Sequence, residues 1–252
     1  MAKSTCAICG AEVNLFTGQA LADKTHICRK VCAKKCLKNF DFIPATIDEV
    51  KAHIEQAEKG TKVWEQIFLP LQKTKVKDAK LKRFGAPLYV SPSTGLMALV
   101  ETRYKFIVFG KSQLACVYRI ADLASYEYEE EKIKGSDGKE TTKHYCHMFL
   151  HNTAGLYDFR FEVSGQLEFK SLEKYFDTMF GIQKTLGNSI NNAKKQLNAI
   201  RDIAGAVKAA ATGADDVEDK AKAAAESLGT YLEGDRTELI AKADAALASV
   251  QY

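Results

Sequence analysis

Cysteine is the residue type whose spacing in this chain could do chemistry. Five of the seven cysteines fall within the first 36 residues, in "CAICG" at 6–10 and "HICRKVCAKKC" at 26–36. The two-residue gap between Cys6 and Cys9 lets two thiolates reach one ion while the turn between them points backbone N–H groups at the sulfurs. Gly10 relieves that turn, because glycine takes positive φ without steric cost. A second half begins at Cys28. Cys28, Cys32 and Cys36 are separated by equal three-residue gaps and would share one face of a helix, where two can chelate and the third can pack. A helix starting near Cys28 would bring Cys28 and Cys32 to Cys6 and Cys9, with Cys36 as the alternate fourth ligand and His26 a more distant one. Four thiolates form a closed tetrahedral set for structural Zn2+, whereas a catalytic zinc keeps an open position.

Other reactive residue types are less organised. In "HYCHMFLH", His144 and His147 would face opposite sides of a strand, and His147 and His151 would lie about 13 Å apart on one face. Cys146 is next to His147 and so faces away from it, which removes a thiol–imidazole pair. These four residues therefore read as core or surface positions. No Gly-rich phosphate loop, nucleophile elbow or HExxH motif occurs, so the expectation is a protein that is not an enzyme.

The elements that must position the cysteines follow from periodicity. Thr46 and Glu49 form a capping-box signature ahead of a helix from residue 47 to about 58, with Val50, Ile54 and Ala57 on its apolar face and Gly60 interrupting it. The run "KTKVKDAKLKR" at 73–83 is the most basic stretch. It reads as a solvated connector, and alternatively as an anion site made of Lys73, Lys75, Lys77, Lys80, Lys82 and Arg83. From 88 to 163 short extended runs alternate with turns, giving seven candidate strands at 88–90, 97–100, 106–109, 114–119, 124–134, 139–150 and 156–163. Leu167, Leu172, Tyr175, Phe176, Met179 and Phe180 then recur at helical spacing through about 186.

Past Leu186 the composition shifts to alanine. Ile190, Ala193, Leu197, Ile200, Ala204, Val207 and Ala211 alternate at three and four residues, a coiled-coil seam, and Ile240, Ala243, Leu247 and Val250 extend the pattern near the end. The seam candidates Ile190, Leu197, Ile200 and Val207 point to homo-oligomerisation through these helices, to a protein partner, or to packing within the chain. The expected fold class is α+β in four parts: a zinc ribbon over 1–42, a helical connector over 43–84, an antiparallel barrel or sandwich with a C-terminal helix over 85–186, and a helical tail over 187–252.

With 46% hydrophobic and 27% charged residues the chain can bury a core, which excludes a disordered tail. Neither a run of about 18 apolar residues nor a signal-peptide core is present, so a cytoplasmic location is expected, where clustered thiols hold metals more often than they cross-link. A net charge of +4 is too mild to imply nucleic acid by itself.

The N-terminal motif resembles the four-cysteine zinc ribbon found at the start of many bacterial and phage-borne proteins of unknown function. Cys6, Cys9, Gly10, Leu21, Asp23, Ile27, Cys28, Cys32, Lys34 and Lys35 match its pattern over about 40 residues. Lys24 stands where glycine is usual, and one residue is added between the last two cysteines, so the fourth ligand stays open between Cys32 and Cys36. The resemblance implies a following domain similar to pleckstrin-homology folds. A zinc-stapled ribbon and a β-module as rigid surfaces, with a heptad-spaced tail for docking or oligomerisation, point to a non-catalytic adaptor or structural protein. Lipid or nucleic-acid binding through the basic ribbon and connector is the alternative.

Overall fold

Four very short strands open the chain. The computed structural model describes residues 4–76, 80–104, 110–134, 138–151, 155–156, 158–180 and 236–252. Strands β1 (Ser4–Thr5) and β2 (Glu12–Val13) pair antiparallel, as do β3 (Gly18–Ala20) and β4 (His26–Cys28). The helix expected near Cys28 is not formed. Cys28 ends β4, a turn follows, and a single 3-10 turn covers Ala33–Lys35. A turn suffices here because Arg29 N–H already bonds back to Thr17 O, which reverses the chain directly after the strand.

Helix α1 (Ile47–Val63) starts on the expected capping box: Thr46 Oγ1 accepts from Glu49 N–H, and the Glu49 carboxylate accepts from Thr46 N–H. It runs past residue 58 without a break, through a π-helical stretch at Trp64–Phe68, into α2 (Leu69–Lys73). The wider π turn directly precedes Pro70, whose ring would crowd the carbonyl four residues earlier in a regular helix. Gly60 does not interrupt α1. It is where α1 lies closest to β8 (Lys111–Arg119), and a Cβ there would sit 2.3 Å from Ala115 O.

Seven antiparallel strands form two separate sheets. One has the order β5 (Lys82–Phe84), β6 (Leu88–Ser91), β7 (Leu96–Tyr104), β8; the other has β9 (Leu123–Lys134) and β11 (Asp158–Val163) flanking β10 (Glu140–Leu150). The fold class is α+β as expected, but the sheets do not close into a barrel. Helices cover the places where strands would otherwise need partners. Helix α1 lies along edge strand β8, where Thr61 Oγ1 accepts from Ala115 N–H and Trp64 Nε1 donates to Gln113. Helix α3 (Gln166–Met179) spans the opposite side, its Glu168 carboxylate accepting from Gly85 N–H and Ser164 N–H. Strand β5 begins inside the basic run read as a connector, and the strand expected at 106–109 lies outside the described residues.

Strand β7 shows why two cores exist. Its run from Leu96 to Val100 is buried on both faces, as a continuous apolar run predicts. Met97 and Leu99 face the cluster between the sheets, with Phe159, Phe161 and Leu172. Leu96, Ala98 and Val100 face a second cluster with Trp64, Phe68 and the last helix, α4 (Thr237–Ala248), which contributes Ala243. On α3 the buried stripe is Phe169, Leu172 and Phe176, while Leu167 turns outward. On α4 the buried positions are Leu239 and Ala243, with Ile240 exposed.

A polar hub joins these layers. His53 is fully buried on α1; its Nε2 accepts from Leu37 N–H at 3.1 Å, its Nδ1 meets Gln56 Oε1 at 3.1 Å, and its ring stacks on Phe40. Gln56 in turn accepts from Leu156 N–H and donates to Leu156 O. The Nε2 acceptor role makes Nδ1–H the donor to Gln56, a neutral ring with both nitrogens satisfied. Burial drives the His53 pKa down to about 4, against the opposing pull of the Gln56 bond.

Two measurements test this packing. Gly60→Ala gains about 1 kcal/mol of helix propensity, but the clash with a backbone carbonyl outweighs it, and the net result should be a loss of about 2 kcal/mol in urea unfolding; an unchanged or higher midpoint refutes the close approach. For His53, the unfolded ring titrates near 6.5, so below that pH the unfolded chain binds the extra proton and stability falls as pH drops. The loss should approach about 3 kcal/mol near pH 4, and the His53 imidazole resonances should not titrate above about pH 5. A ring titrating near 6.5 contradicts the hub.

Candidate metal centre

Two hairpin-like turns bring four sulfurs to one point. In the first, Cys6 N–H bonds to Ala11 O, Gly10 N–H bonds to Cys6 O, and Gly10 takes φ +74°, so Cys6 and Cys9 fold over the same side. The second leaves β4 at Cys28 and returns at Cys32. Ala7 N–H donates to His26 O and ties the two turns together.

The Sγ atoms of Cys6, Cys9, Cys28 and Cys32 all lie within 4.8 Å of one another, and none is in a disulfide. Cys6 and Cys32 sulfurs are 3.7 Å apart, and those of Cys9 and Cys28 3.6 Å. Cys28 N–H points at Cys6 Sγ and Cys32 N–H at Cys28 Sγ, each at 3.3 Å. Burial works against a thiolate at Cys6, but the N–H groups of Cys9, Ile8 and Cys28 outweigh it and hold the pKa at about 6. At Cys28 burial is likewise outweighed, by Cys32 N–H first, and the pKa is lowered. Cys32 shifts the other way, raised by burial and by its three sulfur neighbours. Four sulfurs this close, none of them in a disulfide, could hold a metal ion.

Cys36 lies apart from this group. It is buried, with its pKa pushed up to about 12 by burial. Its carbonyl accepts from Arg103 Nη2 at 2.6 Å, and Arg103 also bonds Lys34 O and pairs with Glu101 at 2.7 Å. Glu101 accepts from Lys38 N–H at 2.8 Å. This Arg103–Glu101 clamp on β7 holds the turn after Cys32 against the sheet, and nothing in the residue pattern singled it out. His26 sits on β4 outside the sulfur group.

Asp23 of the motif accepts from Thr25 N–H and Oγ1 and from Ile47 N–H, so it shapes the β3–β4 turn and caps α1 at once. Lys24 adopts φ +65°, a left-handed conformation that favours glycine.

The remaining candidates are dispersed. Lys73 ends α2, and Lys75 and Lys80 are exposed. Lys82 and Arg83 are adjacent on β5 and so face opposite sides. Arg83 is bonded to Ala86 O and lies over Tyr89. Lys77 and the seam residues Ile190, Leu197, Ile200 and Val207 lie outside the described residues. His144 meets Tyr128 Oη at 2.6 Å, and His147 bridges Glu129 and Asp158 at 3.0 and 2.9 Å. Burial opposes a charged His147, yet these two carboxylates outweigh it and raise its pKa. Cys146 is buried on the other face, its pKa raised by burial. The cross-strand register that places Glu129 and Asp158 beside His147 could not be read from local pattern.

No protein-family model, curated protein or solved structure matches this chain. No helix among the described residues is long and apolar enough to cross a membrane.

The geometry separates the two candidates for the fourth ligand. Elemental analysis of purified Cys36→Ser should return the same metal content as the parent chain, whereas Cys32→Ser should lose tightly held metal and unfold the ribbon on mild chelation. The reverse pattern would assign the fourth position to Cys36.

Proposed function

We propose that the chain is a non-catalytic adaptor whose N-terminal ribbon is stapled by one structural Zn2+. The observation that carries this reading is the gathering of four sulfurs within 4.8 Å of one another. Zn–S bonds of about 2.3 Å imply sulfur–sulfur edges of about 3.8 Å, and the measured pairs at 3.6 and 3.7 Å come close to that. Four cysteine ligands fill zinc's usual coordination number and leave no position for a substrate or water. Such an ion serves folding. The ribbon then acts as a rigid head, since the Arg103–Glu101 clamp and the His53–Gln56 hub hold it against the larger unit.

The four-strand and three-strand sheets followed by α3 support a pleckstrin-homology-like sandwich, the architecture that the N-terminal resemblance implies. In this reading the sandwich presents surfaces to a protein partner. Self-association is assigned to the heptad-spaced residues around Ile190, Leu197, Ile200 and Val207. Helix α4, by contrast, spends its apolar stripe within the chain: Ala243 packs beside Leu96 and Val100, and Gly95 approaches Leu239 O.

Light scattering on the full chain tests the assembly part. The parent should run above monomer mass, and Leu197→Glu with Ile200→Glu should return it to monomer while metal content stays at one zinc per chain. A monomeric parent removes self-association from the proposal. A folded parent without stoichiometric zinc removes the staple.

A further inference from the structure

The β3–β4 hairpin has two ends with opposite characters. Its turn at 21–25 is anchored: Ala22 N–H bonds to Ala45 O, and Asp23 accepts from the first N–H of α1. The antiparallel register, with Gly18 opposite Cys28, places residues 14–17 and 29–31 together at the other end. There Arg29 N–H bonds Thr17 O at 2.9 Å. This end carries Leu15, Phe16 and Val31, which are 81%, 74% and 57% exposed.

Exposed apolar residues scattered singly need no explanation, but these three share one tip. The loop that carries two of them is rigid. Phe16 N–H and Thr17 N–H both bond Asn14 Oδ1, Asn14 N–H bonds Thr17 Oγ1, and Gly18 N–H bonds Asn14 O. Asn14 supplies all the turn chemistry, so the fold makes no use of the Leu15 and Phe16 side chains, at positions where polar residues are usual. Arg29 and Lys30 flank the tip. Both are exposed and neither has a carboxylate partner among the described residues. Glu12, on β2, is the acidic residue closest in sequence to the apolar pair.

We propose that this end of the ribbon is a docking tip for an anionic lipid surface. Leu15, Phe16 and Val31 enter the boundary between headgroups and acyl chains, and Arg29 and Lys30 face the lipid phosphates. An exposed apolar tip with two cations on the adjoining turn matches a layer that is apolar beneath and anionic above. The preformed turn means that little ordering cost accompanies docking. The proposal does not depend on which ion the four sulfurs hold.

Co-sedimentation of the full chain with phosphatidylcholine vesicles, with and without phosphatidylserine, tests it. Binding should require phosphatidylserine and weaken with salt. Leu15→Ser with Phe16→Ser should reduce partitioning at least about tenfold, and Arg29→Gln with Lys30→Gln about fivefold or more. Both pairs should leave the thermal midpoint and metal content unchanged, because the side chains are exposed. In a Phe16→Trp variant, vesicles should shift the new emission to the blue, separately from buried Trp64. Absence of vesicle binding overturns the proposal. So does binding that survives loss of the apolar pair, or tight binding to a single-stranded oligonucleotide that ignores Leu15 and Phe16.

Discussion

Four sulfurs confined within 4.8 Å set the terms for the N-terminal ribbon of this protein. Two thiolates at the 3.7 Å between Cys6 and Cys32 repel by about 4 kcal/mol at an effective dielectric near 20, and a full tetrahedron has six such pairs. The chain answers part of this with backbone dipoles, the N–H groups aimed at Cys6 and Cys28. Those dipoles lower two thiols, while burial and the neighbouring sulfurs raise Cys32. The ribbon's strands are two or three residues long and could not hold the two turns in register by ladder bonds alone.

That staple matters beyond the ribbon because the ribbon is not a free bead on a linker. Cys6, Cys28 and Cys32 belong to the same buried cluster as Phe40, Val50 and the inner faces of both sheets. The path between them is polar as well as apolar: Leu37 N–H to His53, His53 to Gln56, Gln56 to Leu156. On the other flank Arg103 and Glu101 bind carbonyls and an N–H of residues 34–38. The four-cysteine turns therefore form one wall of the core and stand next to the segment that donates to His53.

How much of this could be read from residues alone divides by range. Three of the four clustered cysteines, the glycine after Cys9, the capping box of α1 and most of the strands rest on local spacing, which the sequence displays; equal gaps at 28, 32 and 36 left the fourth open between Cys32 and Cys36. An i, i+4, i+8 cysteine pattern looks helical, yet after Cys28 one backbone bond from Arg29 to Thr17 is enough to make a turn. Gly60 looked like a helix breaker for a similar reason, since its role depends on how closely β8 approaches, a long-range fact. His53 did carry a signal. It occupies the i+3 slot of the stripe Val50, Ile54, Ala57, the place of a core residue, and a buried ring there needs partners for both nitrogens. The Arg103–Glu101 clamp and the His147 bridge depend on register across strands and had no local signature.

The distribution of apolar side chains supplies the last step. Strand β7, α1 and α4 use apolar residues economically: Leu96, Ala98 and Val100 are covered from outside by Trp64 and Ala243, and even β8's open edge is covered by a helix. Leu15 and Phe16 are held outward by a turn whose bonds all run through Asn14 and the backbone. Neither side chain joins a buried cluster among the described residues. On the proposed reading, a lipid layer would cover these two side chains, and Arg29 and Lys30 would match its anionic headgroups.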